Sequence, residues 1–214
     1  MKLFLDTADL KQIKEIASWG ILDGITTNPT LLAKEGKVDP KKHLQAICRV
    51  VSGPVSMEVF ATNYEGMLKE GREYATWAEN IVVKVPMTPD GLRAVATLKA
   101  EGIPTNVTLI FSANQALLAA KAGAAMVSPF IGRLDEAGED GLTLVQEITE
   151  IFFNYGFETE VLVASVRGPR HVTESARMGA HIATLPYEIF KKLVYHPLTD
   201  IGLEKFLADW KNRK

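Results

Sequence analysis

The chain has 214 residues, of which 47% are apolar and 23% charged. That excludes a disordered chain, a collagen-like fibre and a small disulfide scaffold. Twenty-four basic against 26 acidic residues leave a net charge of −2, so no global field favours nucleic acid or an anionic membrane, although a local basic site remains open. The run Met1-Lys2-Leu3-Phe4-Leu5-Asp6 is too short for a signal peptide. No stretch approaches the roughly 18 apolar residues of a membrane span. A cytoplasmic protein is expected. The single cysteine, Cys48, cannot form an internal disulfide and reads as a small core residue.

In chain order, β-rich runs fall at Lys2–Asp6, Gly24–Thr27, Val55–Phe60, Asn80–Val85, Thr105–Ile110, Met126–Phe130, Glu160–Ser165 and His181–Leu185. Most are apolar and β-branched, as buried parallel strands are. Between them, Lys42–Val51, Leu92–Ala100 and Leu142–Phe153 carry apolar residues at spacings of three and four, the stripe of a helix lying on a sheet. Pro89 and Pro169 stand where helices start, and Gly102 and Gly123 where helices end. Eight such alternations without a long linker predict one domain, residues 1–214, folded as a (β/α)8 TIM barrel. A doubly wound open sheet is the alternative, but the chain has neither G-x-G-x-x-G nor G-x-x-x-x-G-K-[ST]. An extra C-terminal helix is predicted over about 198–212, with Leu203, Phe206, Leu207 and Trp210 as its apolar stripe. It packs either on its own barrel or on a neighbour.

Barrel strands alternate between the interior and the helices. Here the strand ends carry polar residues at period two: Asp6; Thr26 and Asn28; Glu58; Lys84; Asn106 and Thr108; Ser128, followed by Phe130; and Ser165 with Arg167. Two acids, two amides and a lysine thus converge on the C-terminal mouth, where barrel enzymes keep their sites. One buried lysine or acid alone could be a structural ion pair. Polar groups presented at one level by strand after strand argue for a site. The set suits covalent catalysis by an amine, which attacks only when neutral; Val82, Val83, Val85 and Pro86 supply apolar flanks that disfavour charge. The iminium formed withdraws electrons from the adjacent carbon. C–C cleavage then needs a base for a hydroxyl proton and relays for imine formation, roles that Asp6 and Glu58 suit.

The segments Lys2-Leu3-Phe4-Leu5-Asp6-Thr7-Ala8, Gly24-Ile25-Thr26-Thr27-Asn28-Pro29-Thr30-Leu31, Val82-Val83-Lys84-Val85-Pro86, Thr105-Asn106-Val107-Thr108-Leu109-Ile110-Phe111-Ser112 and Val127-Ser128-Pro129-Phe130-Ile131-Gly132-Arg133 resemble, together, the small transaldolases in the family shared with fructose-6-phosphate aldolase. The resemblance implies that Lys84 forms the Schiff base, that Asp6 acts on the C4 hydroxyl, and that Glu58 and Thr108 hold a relaying water. It implies that Asn28, Asn106 and Ser128 bind sugar hydroxyls, with Thr26 and Phe130 on the substrate wall, and that Arg133, Ser165 and Arg167 hold the phosphate. Arginine forks also suit phosphate on physical grounds; Arg133 could instead pair with Asp135 or Glu136 on the surface. The aldolase branch resembles a pattern with Gln at position 58 and Tyr at position 130. Glu58 and Phe130 stand there in this chain, which favours transfer over cleavage. No cofactor is implied, and a homo-oligomer is, a ring of five or ten.

His43, His171, His181 and His196 show no short ligand spacing, so no metal is expected. Asn106-Val107-Thr108 matches a glycosylation pattern but lies in a buried strand. The competing functions are fructose-6-phosphate aldolase and a non-catalytic sugar-phosphate-binding barrel.

Overall fold

The computed structural model describes residues 1–213. Eight parallel strands close into a barrel in chain order: β1 (Lys2–Asp6), β2 (Gly24–Thr26), β3 (Val55–Glu58), β4 (Ile81–Pro86), β5 (Thr105–Ile110), β6 (Met126–Pro129), β7 (Glu160–Val163) and β8 (Ile182–Leu185). The first pairs with the last through Lys2↔Ile182, Phe4↔Thr184 and their neighbours. The helices are α1 (Leu10–Ala17), α2 (Pro29–Lys34), α3 (Pro40–Val50), α4 (Tyr64–Ala75), α5 (Pro89–Ala100), α6 (Ala113–Lys121), α7 (Ile131–Glu136), α8 (Gly141–Tyr155), α9 (Pro169–Arg177), α10 (Tyr187–Lys192) and α11 (Pro197–Lys211). The expected (β/α)8 barrel is therefore the fold.

The boundary shifts have local causes. β3 stops at Glu58 because the N–H groups of Phe60 and Ala61 donate to Glu70 Oε2, which turns the chain out of the sheet. β7 stops at Val163, and Ser165 takes a left-handed φ of 61°. Pro89 and Pro169 open α5 and α9 as their fixed φ suits. Gly102 and Gly123 close α5 and α6 at φ of 76° and 92°, and in both the following N–H reaches back five residues, Ile103 to Leu98 and Ala124 to Ala119.

Alternate strand residues divide the core in two. Leu5, Ile25, Val55, Met57, Val83, Val85, Val107 and Val127 pack outward against the helices. Phe4, Val82, Met126, Leu162 and Ile182 fill the barrel interior as a buried floor. Gly24 makes that floor possible: a Cβ there would lie 2.5 Å from Phe4 Cζ. Cys48 is half-buried rather than central, and burial pushes its thiol up to about 11, which leaves it inert.

The last helix starts at Pro197, with His196 as its N-cap, one residue before the expected start. None of its residues is buried. Leu203, Phe206, Leu207 and Trp210 are 55–70% exposed, so its apolar stripe does not pack into its own barrel. No helix among the described residues is long and apolar enough to cross a membrane.

Candidate active site

Above the apolar floor the interior becomes polar, because the same inward-facing positions of each strand now carry hydroxyls, amides and charges. The register aligns Glu58, Lys84 and Asn106 across β3, β4 and β5. Lys84 is buried, with Nζ 3.1 Å from Glu58 Oε2 and donating to Thr27 O at 3.2 Å. Of its expected apolar flanks Val82 shares the interior, whereas Val83 and Val85 face the helices, since strand neighbours alternate in direction.

Asp6 ends β1 beside Thr26, whose Oγ1 donates to Asp6 Oδ1 at 2.6 Å. That hydroxyl proton being committed, Thr184 Oγ1 must donate to Thr26 Oγ1, also at 2.6 Å. The Asp6 carboxyl sits above its ordinary 3.8, because burial removes its water; the Lys84 charge and the Thr26 hydrogen bond pull back part of that rise. The third cluster is neutral: Ser128 Oγ donates to Asn106 Oδ1 at 2.7 Å, and Asn106 Nδ2 donates to Ser56 Oγ at 3.2 Å. Both amide groups of Asn106 are thereby oriented.

Thr108 lies one inward position beyond Asn106. Its Oγ1 is buried without a protein partner among the described residues, so it can hold a bridging water. The next residue, Leu109, has φ 60°, and the β5–β6 register shifts between Val107 and Ile110. This bulge releases the end of β5 from the regular ladder beside the site.

The other side of the mouth is cationic. Arg133, on the first turn of α7, and Arg167, in the β7–α9 loop, line the same cavity as Ser165. Arg133 does not take the expected surface alternative: Glu136 pairs with Arg167 at 2.9 Å and Asp135 with His171 at 3.0 Å. The Arg133 guanidinium lies 5.0 Å above the Phe130 ring, a cation–π distance. Gly132 lets the two arms meet, because a Cβ there would lie 2.0 Å from Ser165 O. Asn28 caps α2 through Oδ1, accepting the Leu31 N–H, and keeps its amide protons for a ligand.

Nine of the twelve expected residues line one cavity of about 130 Å3: Asp6, Thr26, Asn28, Lys84, Ser128, Phe130, Arg133, Ser165 and Arg167. Glu58 and Asn106 join it through Lys84 and Ser128, and Thr108 follows on the same face of β5. A larger groove, about 790 Å3, lies outside the barrel between α8 and α9, where the one arginine, Arg177, is paired with Glu174. Volume favours the groove, but only the smaller cavity brings a buried amine, carboxylates and free arginine nitrogens together. Sequence reasoning did not single out Ser56 and Thr184 as site residues. Their signal was present in Val55-Ser56-Met57 and Ala183-Thr184-Leu185, each a hydroxyl between apolar residues. No three His, Cys, Asp or Glu side chains among the described residues cluster as metal ligands.

Comparison with known proteins follows the same line. A solved mandelate oxidase structure superposes with a TM-score of 0.59 at 16% identity, covering 87% of this chain and 64% of its own; it shares the fold alone. The probable transaldolase of Methanococcus vannielii is 61% identical over 210 residues, 98% of this chain and 97% of the relative. That of Aquifex aeolicus is 58% identical over the same length, 96% of it. The family profile described as transaldolase/fructose-6-phosphate aldolase matches residues 3–214. A buried strand lysine between two carboxylates at a barrel mouth, and sequence identity of this extent, lead to one conclusion: the chain is an enzyme of the transaldolase/fructose-6-phosphate aldolase family.

Proposed function

We propose that this enzyme moves a dihydroxyacetone unit from a ketose phosphate, fructose 6-phosphate or sedoheptulose 7-phosphate, to an aldose phosphate, erythrose 4-phosphate or glyceraldehyde 3-phosphate, through a Schiff base on Lys84. The observation that carries the reading is Lys84 Nζ, buried 3.1 Å from Glu58 in the cavity that Asp6 also lines. Lys84 adds to the C2 carbonyl of fructose 6-phosphate, and loss of water gives the iminium. Asp6 takes the C4 hydroxyl proton as the C3–C4 bond breaks and its electron pair enters the iminium. Glyceraldehyde 3-phosphate leaves and an enamine remains. The enamine carbon adds to the aldehyde of erythrose 4-phosphate, and Asp6 returns its proton to the new hydroxyl. Hydrolysis releases sedoheptulose 7-phosphate. A water between Glu58 and the unpartnered Thr108 hydroxyl relays protons in the imine steps.

Asn28, Asn106, Ser128 and Thr26 present hydroxyl-binding groups along the wall. Arg133, Arg167 and Ser165 take the phosphate, and no metal or cofactor enters the sequence of steps. The reaction belongs to the pentose phosphate route in the cytoplasm. The unburied α11 supports assembly into a homo-oligomer, since an isolated fifteen-residue helix with no packed face is marginal in water. Light scattering of the intact chain and of a truncation before Pro197 tests this.

The second reading, cleavage to free dihydroxyacetone, is disfavoured by Phe130, which has no hydroxyl to protonate the enamine. Fructose 6-phosphate assayed with and without erythrose 4-phosphate separates the two. Fast release of dihydroxyacetone without acceptor overturns transfer. The non-catalytic reading predicts no adduct that borohydride can trap.

A further inference from the structure

The β7–α9 loop carries strain at Ser165, and a residue at φ near +60° keeps that conformation only when its surroundings hold it. From the side of α7, the Ile131 N–H donates to Ala164 O at 3.2 Å and Gly132 abuts Ser165 O. Beyond Arg167 the hold comes from His171. The Arg167 backbone N–H donates to His171 Nδ1 at 3.2 Å. The opposite ring nitrogen, Nε2, lies 3.0 Å from Asp135 Oδ2, and Asp135 Oδ1 accepts the Gly141 N–H at 3.0 Å.

These contacts select one form of the imidazole. Nδ1 must offer a lone pair to Arg167, so the proton sits on Nε2 and is donated to Asp135. The His171 side chain is mostly buried at 16% exposure. Among the described residues the Arg167 side chain is held by the Glu136 ion pair alone, whose partners are 48% and 60% exposed; a pair that open to water orients weakly. The backbone anchor therefore decides where Arg167 stands.

We propose that His171, oriented by Asp135, is a positioning residue for the phosphate grip: it fixes the Arg167 backbone so that the guanidinium faces the cavity together with Arg133. The inference rests on the reading of Arg133, Ser165 and Arg167 as the phosphate site. His171 and Asp135 touch no reacting atom and line no part of the cavity.

The test is borohydride trapping of the lysine adduct on the full chain, read as the sugar concentration giving half-maximal trapping, with fructose 6-phosphate and with fructose. His171→Ala is expected to raise that concentration about tenfold for fructose 6-phosphate, the scale of one lost hydrogen bond, and to leave it unchanged for fructose. Asp135→Asn turns an N–H donor toward Nε2, moves the proton to Nδ1 and shifts the same ratio in the same direction. It alters a single atom, so it carries the test if His171→Ala does not fold. His171→Gln, whose amide oxygen can accept from Arg167, is expected to stay within about twofold of the unmodified enzyme. Equal losses for both sugars, no shift in either disrupting variant, or a glutamine variant as impaired as alanine overturns the proposal. Arg167→Ala separates the two levels. If it abolishes the preference for fructose 6-phosphate while His171→Ala leaves that preference unshifted, the phosphate reading stands and the positioning role falls. If it leaves the preference intact, the phosphate reading falls and takes this inference with it.

Discussion

Lys84, Asp6 and Ser128 reach the cavity from barrel strands, whereas Arg133, Ser165 and Arg167 reach it from the segments that follow β6 and β7. The strand-borne half is buried and internally paired: Lys84 is ion-paired with Glu58 and hydrogen-bonded to Thr27, Asp6 is hydrogen-bonded to Thr26, and Asn106 to Ser128 and Ser56. The loop-borne half exposes both arginines and stores backbone strain at Ser165. The difference suits the two tasks of the proposed reaction. Bond cleavage needs charges that do not reorganise as the reaction proceeds, and a closed sheet holds them. On the proposed reading a phosphate arrives from water and leaves again, which suits ligands at the rim, where desolvation costs little.

The largest break of this contrast is Lys84→Ala. It is expected to abolish the borohydride-trapped adduct and, on the proposed mechanism, to lower turnover by at least about 10,000-fold, since the amine that forms the covalent intermediate is gone. Mass measurement after reduction with fructose 6-phosphate checks it; a surviving adduct places the nucleophile elsewhere.

Asp6→Asn comes next and sharpens the comparison by setting catalysis against stability. Turnover is expected to fall about 100- to 1,000-fold with loss of the acid/base group. Stability should move the other way. The folded carboxyl is raised above its ordinary 3.8 chiefly by burial, so the folded state holds the proton more tightly than the unfolded chain. Asp6 therefore costs stability as pH rises from 3.8 through the raised folded value. The amide carries no such cost. The variant's melting temperature should exceed that of the unmodified enzyme at pH 7, with the gain shrinking toward pH 4. A gain that is constant with pH would mean that Asp6 is not the titrating group.

The same division explains what could be read without the structure. Period-two alternation in short apolar strands placed Asp6, Glu58, Lys84 and Asn106 at the mouth, because one turned residue in a strand turns its neighbours too. Ser56 and Thr184 escaped notice because a small hydroxyl is at home on either face of a strand. At Lys84 sequence adjacency is not spatial adjacency, since Val83 and Val85 point away. On the loop side no periodicity exists. Arg133 kept a rival reading because the partners of Asp135 and Glu136, His171 and Arg167, lie some thirty residues away along the chain. The unpacked face of α11 was equally beyond reach: its apolar stripe specifies that something covers it, not what.

Gly132→Ala disturbs the loop-borne half alone. The added methyl would lie 2.0 Å from Ser165 O and 2.8 Å from Arg167 Cγ, so α7 and the β7–α9 loop must separate. Overpacking of this kind costs about 1–3 kcal/mol. The melting temperature should fall accordingly. The Michaelis constant for fructose 6-phosphate should rise several-fold, while trapping at saturating sugar reaches the same ceiling because the Lys84 side is untouched. A lowered ceiling would show that the two halves are coupled.

The smallest expected effect lies where the halves meet. Phe130 contacts the apolar floor on one side and carries the Arg133 guanidinium 5.0 Å above its ring, with Phe111 packed edge-on at 5.9 Å. Phe130→Tyr keeps the ring and its cation–π partner and adds one hydroxyl at the cavity wall. On the proposed mechanism, phenylalanine offers the Lys84 enamine no proton donor at this position, so the enamine persists until an aldose phosphate accepts it. With tyrosine, a phenolic proton can reach the enamine carbon, and water can then release free dihydroxyacetone. The ratio of dihydroxyacetone release to sedoheptulose 7-phosphate formation should rise a few-fold, with binding of fructose 6-phosphate little altered because the arginines have not moved. An unchanged ratio would make Phe130 a wall residue only and leave the persistence of the enamine to the Glu58 and Thr108 side of the cavity.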